Sequence, residues 1–188
     1  MLEALFVSTG VVALAEIGDK TQLLALVLAA KYRKPKPIIL GILCATLLNH
    51  ALAGVVGATL AAAVSPTTLR WILGLSFIAM AVWTLIPDKY EEQQARPPRF
   101  GIFGTTVLAF FLLEMGDKTQ IATVALAARY HSLLAVVAGT TLGMMLANVP
   151  AVLLGNAAAT RLPMRLVHAV AAAIFLVMGV LVLLNRGS

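Results

Sequence analysis

The sequence is short of charge, of cysteine and of polar stretches, and each shortage excludes something. Only 12% of its 188 residues are charged, against 61% hydrophobic, and its mean hydropathy is +0.96. Soluble domains average about 25% charged residues, so the composition leaves that class and names a lipid bilayer as the solvent. The single cysteine, Cys44, excludes an intramolecular disulfide; set in an apolar run, it reads as a small buried residue. The N-terminus lacks a basic n-region and a small-residue cleavage site, so it reads as a mature first helix rather than a removable leader. Nothing resembles a zinc-ligand spacing or a nucleophile–base pair, which argues against an enzyme. The net charge of +6 does not point to nucleic acid. The basic residues cluster in short loops between apolar runs, where Lys and Arg set membrane orientation.

What is present is a series of six apolar runs, at about 4–30, 38–64, 69–86, 100–128, 133–159 and 166–184. Each is long enough for a tilted membrane span. A basic turn at 31–37, with two prolines that keep the first helix from continuing, separates the first two runs. Ser65-Pro66 closes the second run, Pro87 ends the third, and 161–163 forms a turn before the sixth. Residues 88–99 are the one polar, mixed-charge segment and read as a linker. The expected fold is an all-α membrane protein of six transmembrane helices.

The first and fourth runs carry the same charged heptad. Glu16-Ile17-Gly18-Asp19-Lys20-Thr21-Gln22 returns 98 positions later as Glu114-Met115-Gly116-Asp117-Lys118-Thr119-Gln120, with six of seven residues identical. A charge at the centre of a membrane helix costs about 2.5–3.5 kcal/mol, so a doubled set points to function rather than packing. At the same offset of 98, Tyr32 matches Tyr130, Gly41 matches Gly139, and Phe77, Met80 and Val82 match Phe175, Met178 and Val180. The chain is thus two three-helix repeats, 1–87 and 100–188, joined by the linker at 88–99. Three is odd, so the second repeat enters the membrane from the opposite side, the inverted topology common in secondary transporters. The side holding the first, third and fifth connections carries nine Lys and Arg and the other side three. That places the linker in the cytoplasm and both termini outside.

On a continuous helix Glu16 and Asp19 share one face, as do Glu114 and Asp117, and inversion brings the four carboxylates to similar depth. Carboxylate oxygens suit hard cations such as Mg²⁺, Ca²⁺ or Mn²⁺. Gly18 and Gly116 invite a local unwinding that frees backbone carbonyls as further ligands, although glycine in membrane helices also serves close packing. Four carboxylates with Lys20 and Lys118 sum to −2, which one divalent cation or two protons neutralise. Leaving that charge bare in a low dielectric is costly, so metal and protons compete for the site. The local alternative is that Lys20 pairs with Glu16 one turn back. Asn49 and Asn148 offer amide oxygens at matching depth, as ligands or as interhelical bridges. Gln22, Gln120, Thr21 and Thr119 complete the polar surroundings. His50 reads as structural, and His131 and His168 receive no role.

The doubled motif in a six-helix chain resembles uncharacterised protein family sixteen, the transmembrane protein 165-like cation/proton antiporters, whose bacterial members include manganese exporters. The resemblance covers both repeats. It implies a secondary transporter of the bacterial plasma (inner) membrane that exchanges Mn²⁺, or Ca²⁺, for protons, with the family's acidic residues falling on Glu16, Asp19, Glu114 and Asp117. The metal is then transported substrate, and no cofactor is implied. A passive divalent-cation channel, or an exporter of a small basic molecule held by the same acids, are the competing expectations. Homo-oligomerisation is left open.

Overall fold

The computed structural model describes residues 1–86, 100–154 and 164–184. These form eight α-helices: α1 (Leu2–Glu16), α2 (Lys20–Tyr32), α3 (Pro35–Ala63), α4 (Pro66–Thr84), α5 (Gly101–Glu114), α6 (Lys118–Tyr130), α7 (Leu133–Leu154) and α8 (Met164–Leu184). The expected linker at 88–99, the turn at 161–163 and the last part of the fifth run lie outside the described residues. Four helices, α3, α4, α7 and α8, are long and apolar enough to cross a membrane. The first and fourth apolar runs are each divided in two at the heptad.

The helices end before Pro35 and Pro66 as expected, and each of these prolines also starts the next helix. Pro35 and Pro66 open α3 and α4, where a missing N–H costs nothing. Ser65 caps α4 by accepting the Thr68 N–H at 3.2 Å. The turn before α3 is made by Arg33 at φ 51°, and the turn before α7 by His131 at φ 48°, so the offset of 98 extends to the helix caps.

The packing is inverted relative to a water-soluble bundle. On α3 the inner face holds Thr46, Asn49, His50, Gly54 and Gly57, while Leu40, Leu47, Leu48, Leu52, Val55 and Val56 point outward. A helix with buried polar groups and an exposed aliphatic stripe belongs in lipid. The protein is a multi-pass membrane protein. Cys44, expected to be buried, lies on this outward stripe and is exposed. In lipid an apolar run has no hidden face of its own, so burial cannot be inferred from apolar neighbours.

Counterpart helices make counterpart contacts. α1 packs on α7 as α5 packs on α3, and α4 packs on α8. Small residues permit this. A methyl at Gly41 would come within 2.7 Å of Thr106 Cβ, and one at Gly139 within 2.5 Å of the Leu5 carbonyl and 2.9 Å of Ser8 Cβ. Ser8 and Thr106 are themselves 98 apart. Between α4 and α8 the equivalent residues Phe77 and Phe175 stack on each other, with ring centroids 6.4 Å apart. The two groups of helices therefore interlock rather than sit side by side, and this brings the heptads together.

Candidate functional site

Each heptad begins as helix, turns, and begins again. Glu16 is the last residue of α1; Ile17 lies at φ −62° and ψ 118°, and Asp19 at φ −77° and ψ 167° precedes α2. In the second copy Met115 is at φ −65° and ψ 115°, and Asp117 at φ −82° and ψ 170°. Between them Gly18 and Gly116 take φ 83° and 78°. The Asp19 and Asp117 N–H groups donate to the Glu16 and Glu114 carbonyls, each at 3.0 Å. This is a type II turn, whose third position demands the left-handed conformation that glycine adopts freely. Gln22 and Gln120 fasten it, their Oε1 accepting the Gly18 and Gly116 N–H groups at 2.9 and 2.7 Å. The expectation that Glu16 and Asp19 share one helix face is therefore corrected: Glu16 ends α1 and Asp19 precedes α2, because the turn at Gly18 breaks the helix between them.

The break gives the two carboxylate types opposite electrostatic settings. Asp19 and Asp117 precede α2 and α6, where the helix dipole favours negative charge. Glu16 and Glu114 end α1 and α5, where the dipole opposes it and favours a cation. All four are buried, and Glu16 feels the charges of Glu114, Asp19 and Asp117.

The lysines cross between the repeats. Lys20 Nζ lies 2.9 Å from Asp117 Oδ1, and Lys118 Nζ lies 2.7 Å from Asp19 Oδ1. The local pairing of Lys20 with Glu16 is corrected, since the turn carries Glu16 onto another helix and leaves Asp117 within reach. These reciprocal pairs join each heptad to the other. Among the described residues each aspartate thus has a lysine at salt-bridge distance and neither glutamate does.

The amides complete the framework. Asn148 Nδ2 donates to Glu16 Oε1 at 3.4 Å and to the Met144 carbonyl at 3.1 Å. Asn49 Nδ2 donates to the Phe111 carbonyl at 3.1 Å, and its Oδ1 accepts from Gln120 Nε2 at 3.3 Å. Gln22 Nε2 donates to the Ala147 carbonyl at 2.9 Å. The glutamine oxygens are thus spent on the turns and their nitrogens on the opposite repeat. Thr119 Oγ1 donates to Glu114 Oε2 at 2.6 Å, and Thr21 is fully buried. Among the described residues, Glu16 Oε2, Glu114 Oε1 and Asn148 Oδ1 are buried without a hydrogen-bond partner, three hard oxygens of the kind a divalent cation takes. No group of three or more His, Cys, Asp or Glu side chains among the described residues is drawn tightly enough to hold an ion. His50 stands apart, fully buried with neither ring nitrogen hydrogen-bonded among the described residues.

One contact lies outside the heptads. His168 of α8 places its Nε2 3.2 Å from the Ile17 carbonyl, inside the first break. Its position at a helix end gives His168 no role on sequence grounds. The signal that could have found it is its counterpart 98 positions earlier, Arg70, which keeps a basic side chain at that place in the repeat.

Comparison with known proteins yields one family model, described as divalent cation/proton antiporter GDT1, which matches residues 4–92 and 102–188. A Vibrio cholerae protein named "Putative manganese exporter" is 52% identical over 179 residues, covering 95% of this chain and 89% of its own length. GDT1-like protein 3 of Oryza sativa subsp. indica is 30% identical over 204 residues, covering 94% and 72%. The Arabidopsis thaliana protein of the same name is 29% identical over 205 residues, covering 94% and 69%. No solved structure matches.

Proposed function

This chain belongs to the divalent cation/proton antiporter family GDT1, and on that premise we propose that it exports Mn²⁺ in exchange for protons, through a site shared by its two heptads. A transporter rather than an enzyme follows from the family. The choice of manganese leans on the name of the Vibrio cholerae relative and on the unpartnered carboxylate and amide oxygens of Glu16, Glu114 and Asn148, which suit Mn²⁺ and Ca²⁺ alike. We place the protein in the bacterial inner membrane as six spans in two inverted repeats, with α1–α2 and α5–α6 each crossing as a broken helix. The crossed ion pairs and the matched helix contacts support that arrangement, and the loop charges support termini outside.

The observation that carries the mechanism is the unequal treatment of the four carboxylates. The crossed lysines neutralise Asp19 and Asp117, so the charge of −2 resides on Glu16 and Glu114, each at the negative end of a helix. One divalent cation, bound by the two glutamates with Asn148 and carbonyls freed at the breaks, cancels it. Two protons cancel it equally, so each excludes the other. Asp19 and Asp117 hold the two breaks in register through their lysines, and Asn49 ties Gln120 to α5. Metal leaving on the outer side is replaced by protons, which leave on the cytoplasmic side as metal binds. Two protons per metal make the cycle electroneutral.

The test uses purified protein in proteoliposomes loaded with Mn²⁺. A pH gradient should drive Mn²⁺ flux, whereas a membrane potential at zero pH gradient should not. Flux that follows the potential overturns the two-proton count, and Mn²⁺ binding indifferent to pH overturns competition. Glu16→Gln and Glu114→Gln should each lower proton-driven flux by at least about 100-fold, the upper end of what loss of a metal site's outer partner costs. Wild-type flux from either variant sinks the shared site.

A further inference from the structure

The two heptads have the same backbone, yet their surroundings differ in a consistent direction. At the first break Ile17 and Gly18 are half-buried; at the second, Met115 is 59% exposed and Gly116 is exposed as well. The ion pair made by Asp19 at the first break is likewise the more buried, its partner Lys118 being 2% exposed against 24% for the Lys20 that meets Asp117 at the second. The helices differ in the same sense, since α8 packs along α1 whereas α4, apart from its contact with α8, packs along α6 rather than α5. His168 closes the first break through the Ile17 carbonyl. Arg70 is its counterpart in α4, as Met115 is the counterpart of Ile17. Arg70 Nε is shut away from solvent with no hydrogen-bond partner among the described residues.

A chain of two like halves can exchange their conformations, and each state is then the other with the repeats swapped. Applied here, the swap predicts a specific contact. We propose that His168 and Arg70 are paired positioning residues: His168 holds the first break closed in the state described, and Arg70 holds the second closed, through the Met115 carbonyl, in the opposite state. Both side chains are donors, and the carbonyl each takes belongs to the other repeat. Only one break is clasped at a time, because the α4–α8 pair, joined through Phe77 and Phe175, lies over one break or the other. The carbonyl that is not clasped is free to meet an entering cation. This rests on the exchange reading above only for what passes through the breaks.

The test reads exposure of the breaks without any flux. In a Cys44→Ala background, Ile17→Cys and Met115→Cys are introduced singly, and the rate of maleimide modification is measured for each in purified protein. Wild-type His168 and Arg70 should give the faster rate at position 115. His168→Leu should lower the ratio of the rate at 115 to that at 17 by about fivefold, and Arg70→Leu should raise it by about fivefold. That is the shift in a two-state equilibrium from one hydrogen bond of ordinary net strength. His168→Gln keeps a donor and should retain the wild-type ratio. A merely structural role loosens both breaks together, so rates that rise in parallel, or a ratio that neither variant moves, overturn the proposal. If His168→Leu does not purify as a folded protein, Arg70→Leu and His168→Gln read the same ratio. Reciprocal ratios in a protein that shows no proton-driven Mn²⁺ flux would refute the antiport and leave the paired clasp standing.

Discussion

At the scale of single residues, the lysines tie the two heptads together. A heptad read along one helix puts Lys20 one turn from Glu16, and nothing in the sequence says which carboxylate it chooses. The choice depends on a turn at Gly18 and on a partner 97 residues away, Asp117. The identities of the charged residues are therefore legible in the sequence, and their pairing is not. The crossed arrangement has a measurable consequence. Lys118 and Asp19 are 2% and 1% exposed, and stripping one member from so buried a pair leaves a charge that costs about 3–5 kcal/mol. Lys118→Met should lower the thermal unfolding temperature in detergent sharply, and Lys118→Met combined with Asp19→Asn should recover most of the loss. Lys20→Met should cost less, because Lys20 is 24% exposed and its pair is less deeply buried. Equal losses from the two lysines would contradict the unequal burial of the two ion pairs.

At the scale of elements, the helix breaks are only half legible in the sequence. A glycine between two acids, set in an apolar run, fits an unwound turn and a tightly packed continuous helix equally well. Periodicity does not separate the two, since both halves of the run are helical and apolar. The structure chooses the turn, with φ of 83° and 78° at Gly18 and Gly116. A Cβ at Gly116 would meet nothing within 4 Å, so Gly116→Ala isolates the backbone effect. It should destabilise the protein by about 1–2 kcal/mol, the cost of a left-handed residue that carries a side chain. It should also slow Mn²⁺ transport in vesicles, because an alanine favours a straight helix that carries Asp117 away from Lys20. Undiminished transport would mean that the turn is dispensable. The proline-led starts of α3 and α4 escape a sequence reading for a related reason. Proline ends one helix and begins the next with the same geometry.

At the scale of the whole molecule, the repeat is the most legible feature, because an offset of 98 survives in residues as ordinary as Tyr32 and Tyr130 or Gly41 and Gly139. What the offset does not show is that the halves interleave, with α1 on α7 and α5 on α3. The inverted arrangement proposed above predicts opposite exposure of equivalent turns. Cysteines at Lys34 and Ser132, which lie 98 apart in the turns before α3 and α7, should react with an impermeant reagent from opposite sides of the membrane. Lys34 should react from the cytoplasm and Ser132 from outside. Reaction of both from one side would remove the inversion.

The crossed ion pairs also bear on how the protein is made. A ribosome delivers the first heptad to the membrane long before it has translated the second. During that interval Glu16, Asp19 and Lys20 have no opposite repeat to answer them, and each charge left in hydrocarbon costs about 2.5–3.5 kcal/mol. The nascent first half is therefore electrically unfinished, and its broken helix is poorly suited to stand alone in lipid. Only when Asp117 and Lys118 emerge does the earlier segment gain its partners. Assembly of this transporter should therefore come late in its synthesis, and a chain arrested before the second heptad should be degraded faster than the full-length protein in a pulse-chase measurement.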